Sequence, residues 1–133
     1  MKIRDLDGNE HVWNLSKYVG KINNNASQLH RQVRNFIKEK SPAAQILEEV
    51  HLPGEKLYLD FYLPLLKLAI ECQGGQHDKY TPFFHGELKS KGFANAKSRD
   101  RRKREFCENN GITLLYFYPK EDEEEWTKKL REI

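Results

Sequence analysis

Two carboxylates sit inside apolar strands that would not hold them without compensation. Asp60 lies within Leu57-Tyr58-Leu59-Asp60-Phe61-Tyr62-Leu63, and Glu71 within Leu68-Ala69-Ile70-Glu71-Cys72-Gln73. Pro64 suits the second position of a type I turn, so a loop from Pro64 to Lys67 pairs Leu63 with Leu68 and sets Asp60 opposite Glu71. Acids are depleted in strands and like charges facing each other destabilise a sheet. Two carboxylates about 5 Å apart repel by roughly 3 kcal/mol at an effective dielectric of about 20. A divalent cation removes that conflict. Strand alternation puts Gln73 on the Glu71 face and turns Ile70 and Cys72 away. Three oxygen-bearing side chains then converge, which is the donor chemistry of a hard ion such as Mg²⁺ or Mn²⁺. A solvated sheet face is the alternative, and the apolar neighbours of both acids argue against it.

A second chemical signal is local positive charge. The net charge is only +3, yet residues 86 to 104 hold eight Lys/Arg against two acids, while residues 119 to 133 hold six acids against four bases. Lys97, Arg99, Arg101, Arg102, Lys103 and Arg104 surround Asp100, too dense a cluster for i,i+4 pairing alone to explain. Phosphates are its natural partner, giving affinity and salt dependence without reading base sequence; a solvated helix face is the bland alternative. Tyr80, Phe83 and Phe84 gather with His85 in a connection long enough to touch a substrate, where rings could stack on bases or cover the core. Glu48 and Glu49 are rival carboxylates, one for each face of their strand.

These residues need elements to position them. With 133 residues and no repeats or linker, the chain reads as one domain. Asp7-Gly8 turns an accessory hairpin of Ile3–Leu6 and Glu10–Trp13 within residues 1–25, suited to edge packing or a dimer contact. Residues 27–40 follow as an amphipathic helix with Leu29, Val33, Phe36 and Ile37 on one side. Strands at 44–52, 56–63 and 67–73 form a meander, 95–109 is helical up to Asn110-Gly111, and 112–118 is a buried strand. The order is αβββαβ, an α/β core over 26–118 with a mixed sheet flanked by helices. A C-terminal helix occupies 119–133, with acids in its first turn and Trp126, Leu130 and Ile133 on one side. No apolar run approaches the ~18 residues of a membrane span and no signal-peptide core is present, so a cytoplasmic protein without a membrane partner is expected. Cys72 and Cys107 lie 35 positions apart and read as free thiols.

Asp60-Phe61, Leu68 to Glu71 with Gln73, Gly74 to His77 and Arg99-Asp100 follow one another in an order that resembles the PD-(D/E)XK nuclease superfamily, closest to its very-short-patch-repair endonuclease branch. The resemblance spans roughly residues 27 to 118. It implies a restriction-endonuclease-like core and Mg²⁺- or Mn²⁺-dependent hydrolysis of DNA phosphodiesters, the metal held by Asp60, Glu71 and the main-chain carbonyl of Cys72. The third signature position, commonly Lys, is Gln73, which can orient the attacking water but cannot take its proton. His77, just past the strand, is then the nearest group with a suitable unperturbed pKa of about 6.5. Relatives often carry a Glu three residues after a Ser on the first helix; here Ser27 is followed by His30, a candidate outer ligand or water-positioning group. Repair, restriction, mobile-element and phage roles all fit, as does a homodimer whose two sites cut both strands. The rivals are a nucleic-acid-binding module that has lost turnover, and a nuclease acting on RNA or branched junctions.

Overall fold

The Ser27 hydroxyl accepts the His30 N–H at 3.2 Å and so caps α1 (Gln28–Lys40), satisfying one of the donors a helix start leaves free. Before it come β1 (Lys2–Arg4) and β2 (Glu10–Val12); after it come β3 (Leu47–His51), β4 (Tyr58–Leu63), β5 (Leu68–Cys72), α2 (Glu87–Asn109), β6 (Thr113–Phe117) and α3 (Glu123–Arg131). The computed structural model describes residues 1–73 and 87–132, with side chains for 1–73 and 97–132. From α1 to β6 the element order is the expected αβββαβ.

The four long strands make one mixed sheet in the order β3-β4-β5-β6, antiparallel except for β6, which runs parallel to β5 after the α2 crossover. Helices cover both faces. Val33, Phe36 and Ile37 of α1 and Trp126 of α3 pack with Phe61, Leu63, Leu68, Ile70 and Phe117 on one side. On the other, Phe106 and Cys107 of α2 pack with Leu47, Val50, Leu59, Tyr62 and Ala69. The N-terminal hairpin joins this second side: Ile3 and Trp13 are buried, and the Trp13 ring lies 4.8 Å from that of Tyr62. Asn110, just past α2, clamps the hairpin by accepting the Arg4 N–H at 2.8 Å and donating to the Arg4 carbonyl at 2.9 Å. The hairpin thus packs over a face of the sheet beside α2 rather than along a sheet edge.

Element limits differ from expectation at several ends; α3, for one, begins at Glu123 rather than at 119. The first core strand begins at Leu47 rather than Ala44, because the Ala44 N–H turns back to the Ser41 carbonyl at 3.0 Å. Helix α2 begins at Glu87 rather than Asn95, running through Gly92, whose cost inside a helix is only about 1 kcal/mol. Ile133, expected on the inner side of α3, lies outside the described residues.

The hairpin register is as expected. Pro64–Leu66 form a 3-10 turn, Lys67 takes the left-handed conformation at φ 47, and Leu63 pairs with Leu68. The meander nevertheless carries an irregularity that strict alternation does not anticipate. Leu47 and Val50 share one face, as do Tyr62 and Leu59, although each pair is an odd number of positions apart. The phase shifts at Glu49, whose φ of 51 is uncommon for a residue with a side chain, and at Asp60 beside it, the two positions missing between the Glu48↔Phe61 and Val50↔Leu59 partners. Asp60 thus sits at a break in the ladder, which frees it from routine strand pairing.

Candidate active site

At this break Asp60 and Glu71 bond to each other's strand through side chain and backbone. The Asp60 N–H donates to Glu71 Oε2 at 3.1 Å, and the Cys72 N–H donates to Asp60 Oδ2 at 2.8 Å. The last regular β4–β5 partners are Phe61↔Ile70, so carboxylates replace carbonyls where the hairpin splays. Glu71 is 2% exposed. Burial, followed by the hydrogen-bonding and charge effects of Asp60, holds its carboxyl well above the ordinary glutamate range, while Lys103 pulls it back down. The like-charge conflict read from the sequence is thus present, and it falls on Glu71.

Lys103 relieves it. Its ammonium makes an ion pair with Glu71 Oε1, reaching down from α2 with a side chain only 17% exposed. Sequence reading placed Lys103 among the phosphate-binding cations and missed this contact. A signal was available, because Lys103 precedes the buried Phe106 and Cys107 by three and four residues and so shares their helix face. Asp100 lies on the same stripe, three residues earlier, within electrostatic reach of Tyr116. Tyr116 is the parallel partner of Glu71, and its buried hydroxyl has no hydrogen-bond partner among the described residues; burial, with Asp100, pushes the phenol upward.

A cleft of about 400 Å³ opens onto these groups, lined by Lys56, Tyr58, Asp60, Glu71, Gln73, Arg99, Asp100 and Lys103 among others. Gln73 is 8% exposed, its backbone N–H is held by the Phe117 carbonyl at 2.9 Å, and it lines the cleft together with Glu71. Cys72 also lines the cleft, although its side chain packs on the opposite cluster. Of the basic helix, Lys97, Arg99, Arg101 and Arg104 are exposed and Arg102 is half-buried. Burial pushes the Cys107 thiol up to about 12, consistent with an inert free cysteine.

His30 is placed elsewhere. It is buried, stacks on Phe61 at 4.2 Å between ring centroids, and sets Nε2 2.6 Å from Glu48 Oε1. Arg34, one helical turn on, donates from Nε to Glu48 Oε2 at 2.8 Å and from an Nη to Oε1 at 2.7 Å. Glu48 is therefore fully engaged in a buried His-Glu-Arg cluster that ties α1 to β3. Glu49, by contrast, is exposed and accepts from Asn23 Nδ2 at 2.9 Å. His77 and the aromatic group Tyr80, Phe83, Phe84 and His85 lie outside the described residues. Among the described residues, no three His, Cys, Asp or Glu side chains gather into one potential metal cage; Asp60 and Glu71 form a pair. Also among the described residues, no helix is long and apolar enough to cross a membrane.

No known protein-family profile matches the chain. It is similar to three viral proteins that carry no functional description. It is 42% identical over 59 residues to uncharacterized protein 307L of Invertebrate iridescent virus 6, covering 44% of this chain and 29% of that protein. It is 33% identical over 64 residues to protein 033L of Invertebrate iridescent virus 3, covering 48% and 32% respectively. To protein 094L of Frog virus 3 (isolate Goorha) it is 40% identical over 62 residues, covering 47% of this chain and 39% of that one. The matched segment thus spans well under half the length of each of these relatives.

Proposed function

We propose that this chain is a Mg²⁺- or Mn²⁺-dependent DNA endonuclease with a restriction-endonuclease-like core. The observation that carries the reading is the carboxylate pair at the splayed end of the hairpin, with a lysine ammonium against its buried member. A site that already attracts a cation, and whose nearby donors are carboxylate and amide oxygens, fits a hard divalent ion. Asp60 and Glu71 would hold it, with the Cys72 carbonyl as a further main-chain donor. When bound, the ion supplies Lewis-acid charge at the phosphate and a more acidic water.

The chain's own residues divide the remaining work. Asp60 and Glu71 concentrate negative charge at the cleft floor. Gln73 orients a water by its amide without exchanging a proton. Lys103 favours the ionised form of Glu71 against burial and Asp60 and, once displaced from it, stands within the same cleft to meet a phosphate oxygen. This answers the absence of an amine at position 73. Arg99 at the cleft wall and the exposed Arg101 and Arg104 hold the backbone of the nucleic acid.

The test is cleavage of supercoiled plasmid by the full chain in Mg²⁺ or Mn²⁺, with EDTA and Asp60→Asn as controls. Nicking or linearisation that needs both metal and Asp60 supports the reading. Binding of DNA with no turnover in either ion would instead favour the module that lost catalysis, and side-by-side RNA and branched substrates separate the remaining rivals.

A further inference from the structure

The segment between the N-terminal hairpin and α1 is more than packing. It lies along β3, where the Tyr18 hydroxyl accepts the His51 N–H at 3.2 Å, and it walls a groove of about 660 Å³ lined by Lys17, Tyr18, Lys21, Glu49, His51 and Tyr58, among others. Tyr58 also lines the candidate active cleft, so the two depressions meet at this one side chain. A lone exposed aromatic means little. Tyr58 differs because it is 57% exposed at that junction and stands two positions before Asp60, about 7 Å along the strand.

The charges beside it alternate little. Lys56 flanks Tyr58 on the cleft side, and Lys17 and Lys21 on the groove side. Of the two acids in the groove, Glu48 is neutralised by Arg34, whereas Glu49 keeps its charge while accepting from the Asn23 amide, so Lys17 and Lys21 leave the groove positive by one. An aromatic platform beside lysines, adjoining a hydrolytic cleft, matches a single nucleic-acid strand: phosphates follow the lysines and an unpaired base lies on the ring. A base in an intact duplex is stacked on its own neighbours and is not free to do this.

We infer that the strand cut at Asp60 and Glu71 runs on as a single strand across Tyr58, one base stacked on its ring and the following phosphates against Lys17 and Lys21. The substrate is then single-stranded or locally unpaired nucleic acid. This inference rests on the nuclease reading for the place of the cut, and its test does not depend on turnover.

The experiment measures binding of a fluorescent single-stranded oligonucleotide and of the matching duplex to the full chain in EDTA, by anisotropy across a salt series. Tyr58→Ala should weaken single-strand binding roughly five- to a hundred-fold, and Tyr58→Phe, which keeps the ring, should restore most of it. Lys17→Ala with Lys21→Ala should lower the salt slope by about 0.7 for each phosphate no longer neutralised. Unchanged single-strand affinity in Tyr58→Ala, or tighter binding of the duplex by the parent chain, overturns the inference. If these losses appear while no metal-dependent cleavage of any substrate is found, the nuclease reading fails and the strand path stands; cleavage with no such losses gives the reverse.

Discussion

The Lys103 ammonium on α2 and the Glu71 carboxylate on β5 form an ion pair across the α2–sheet interface, in a site where Glu71 is 2% exposed and already receives the Asp60 N–H. The contact ties the basic helix to the floor of the cleft. It also explains how the sheet holds two carboxylates that burial and mutual repulsion both disfavour, since one cation serves where a pair of acids would otherwise stand alone.

Lys103→Met should therefore destabilise the chain in EDTA by about 1–3 kcal/mol, less than the ~3–5 kcal/mol typical of breaking a buried pair because Glu71 can take up a proton instead. Chemical denaturation measures this. The same variant should gain more from added Mg²⁺ than the parent does, because no ammonium has to be displaced, while its cleavage rate falls. Equal stability of the two proteins in EDTA would mean that the ion pair contributes nothing to the fold.

The buried cluster of His30, Glu48 and Arg34 predicts a different outcome for a residue whose place in the sequence suggested chemistry. Glu48→Ala leaves a buried guanidinium unpaired and should cost about 3–5 kcal/mol. His30→Ala should lower stability by less and leave DNA affinity and metal-dependent cleavage at the parent level. A cleavage defect in His30→Ala at temperatures where it remains folded would return His30 to the active site.

Much of this was legible because it follows from short-range rules. The Pro64 turn and the Leu63–Leu68 register come from turn chemistry and loop length, and they carry Asp60 to Glu71 without any tertiary information. The two-sided sheet follows from apolar runs too continuous for one wetted face. Other features were missed for different reasons. The left-handed Glu49 breaks the alternation on which the facing of Glu48 and Glu49 was argued, and nothing local marks it, since neither glycine nor asparagine stands there. Lys103 reads as one basic residue in a row of them, and its contact depends on how α2 lies on the sheet. The apolar stripe through Phe106 and Cys107 held that information, but the density of surrounding charge hid it. Arg34 was missed likewise, although it shares a face with His30 one turn earlier.

Exposure sorts the basic helix into two groups with separable effects. Arg101→Ala and Arg104→Ala, both at exposed positions, should weaken duplex and single-strand binding without regard to sequence and reduce the duplex salt slope by about 0.9 for each phosphate left without its cation. Their unfolding curves should superpose on that of the parent. Arg102→Ala, at a half-buried position, should shift the unfolding midpoint as well. Anisotropy titrations at several salt concentrations decide, and salt slopes identical to the parent in Arg101→Ala and Arg104→Ala would leave that face merely solvated.

The raised carboxyl of Glu71 gives the fold a pH dependence with a definite sign. Burial and Asp60 lift its folded-state pKa above the reference 4.5, so the folded chain binds this proton more tightly than the unfolded chain does. The stability it contributes is complete below the unfolded value and is lost as pH rises from there through the folded value. Glu71→Gln removes the titration. In EDTA, the parent's unfolding free energy should therefore fall relative to that of Glu71→Gln as pH rises above about 4.5, and the two should run parallel once Glu71 is ionised in both states. Added Mg²⁺ favours the ionised carboxyl, so its stabilising effect on the parent should grow over the same interval and be weak in the variant. Parallel curves from pH 4 to 8 would show that Glu71 titrates as an ordinary glutamate, and the tension assigned to the Asp60–Glu71 pair would then be absent.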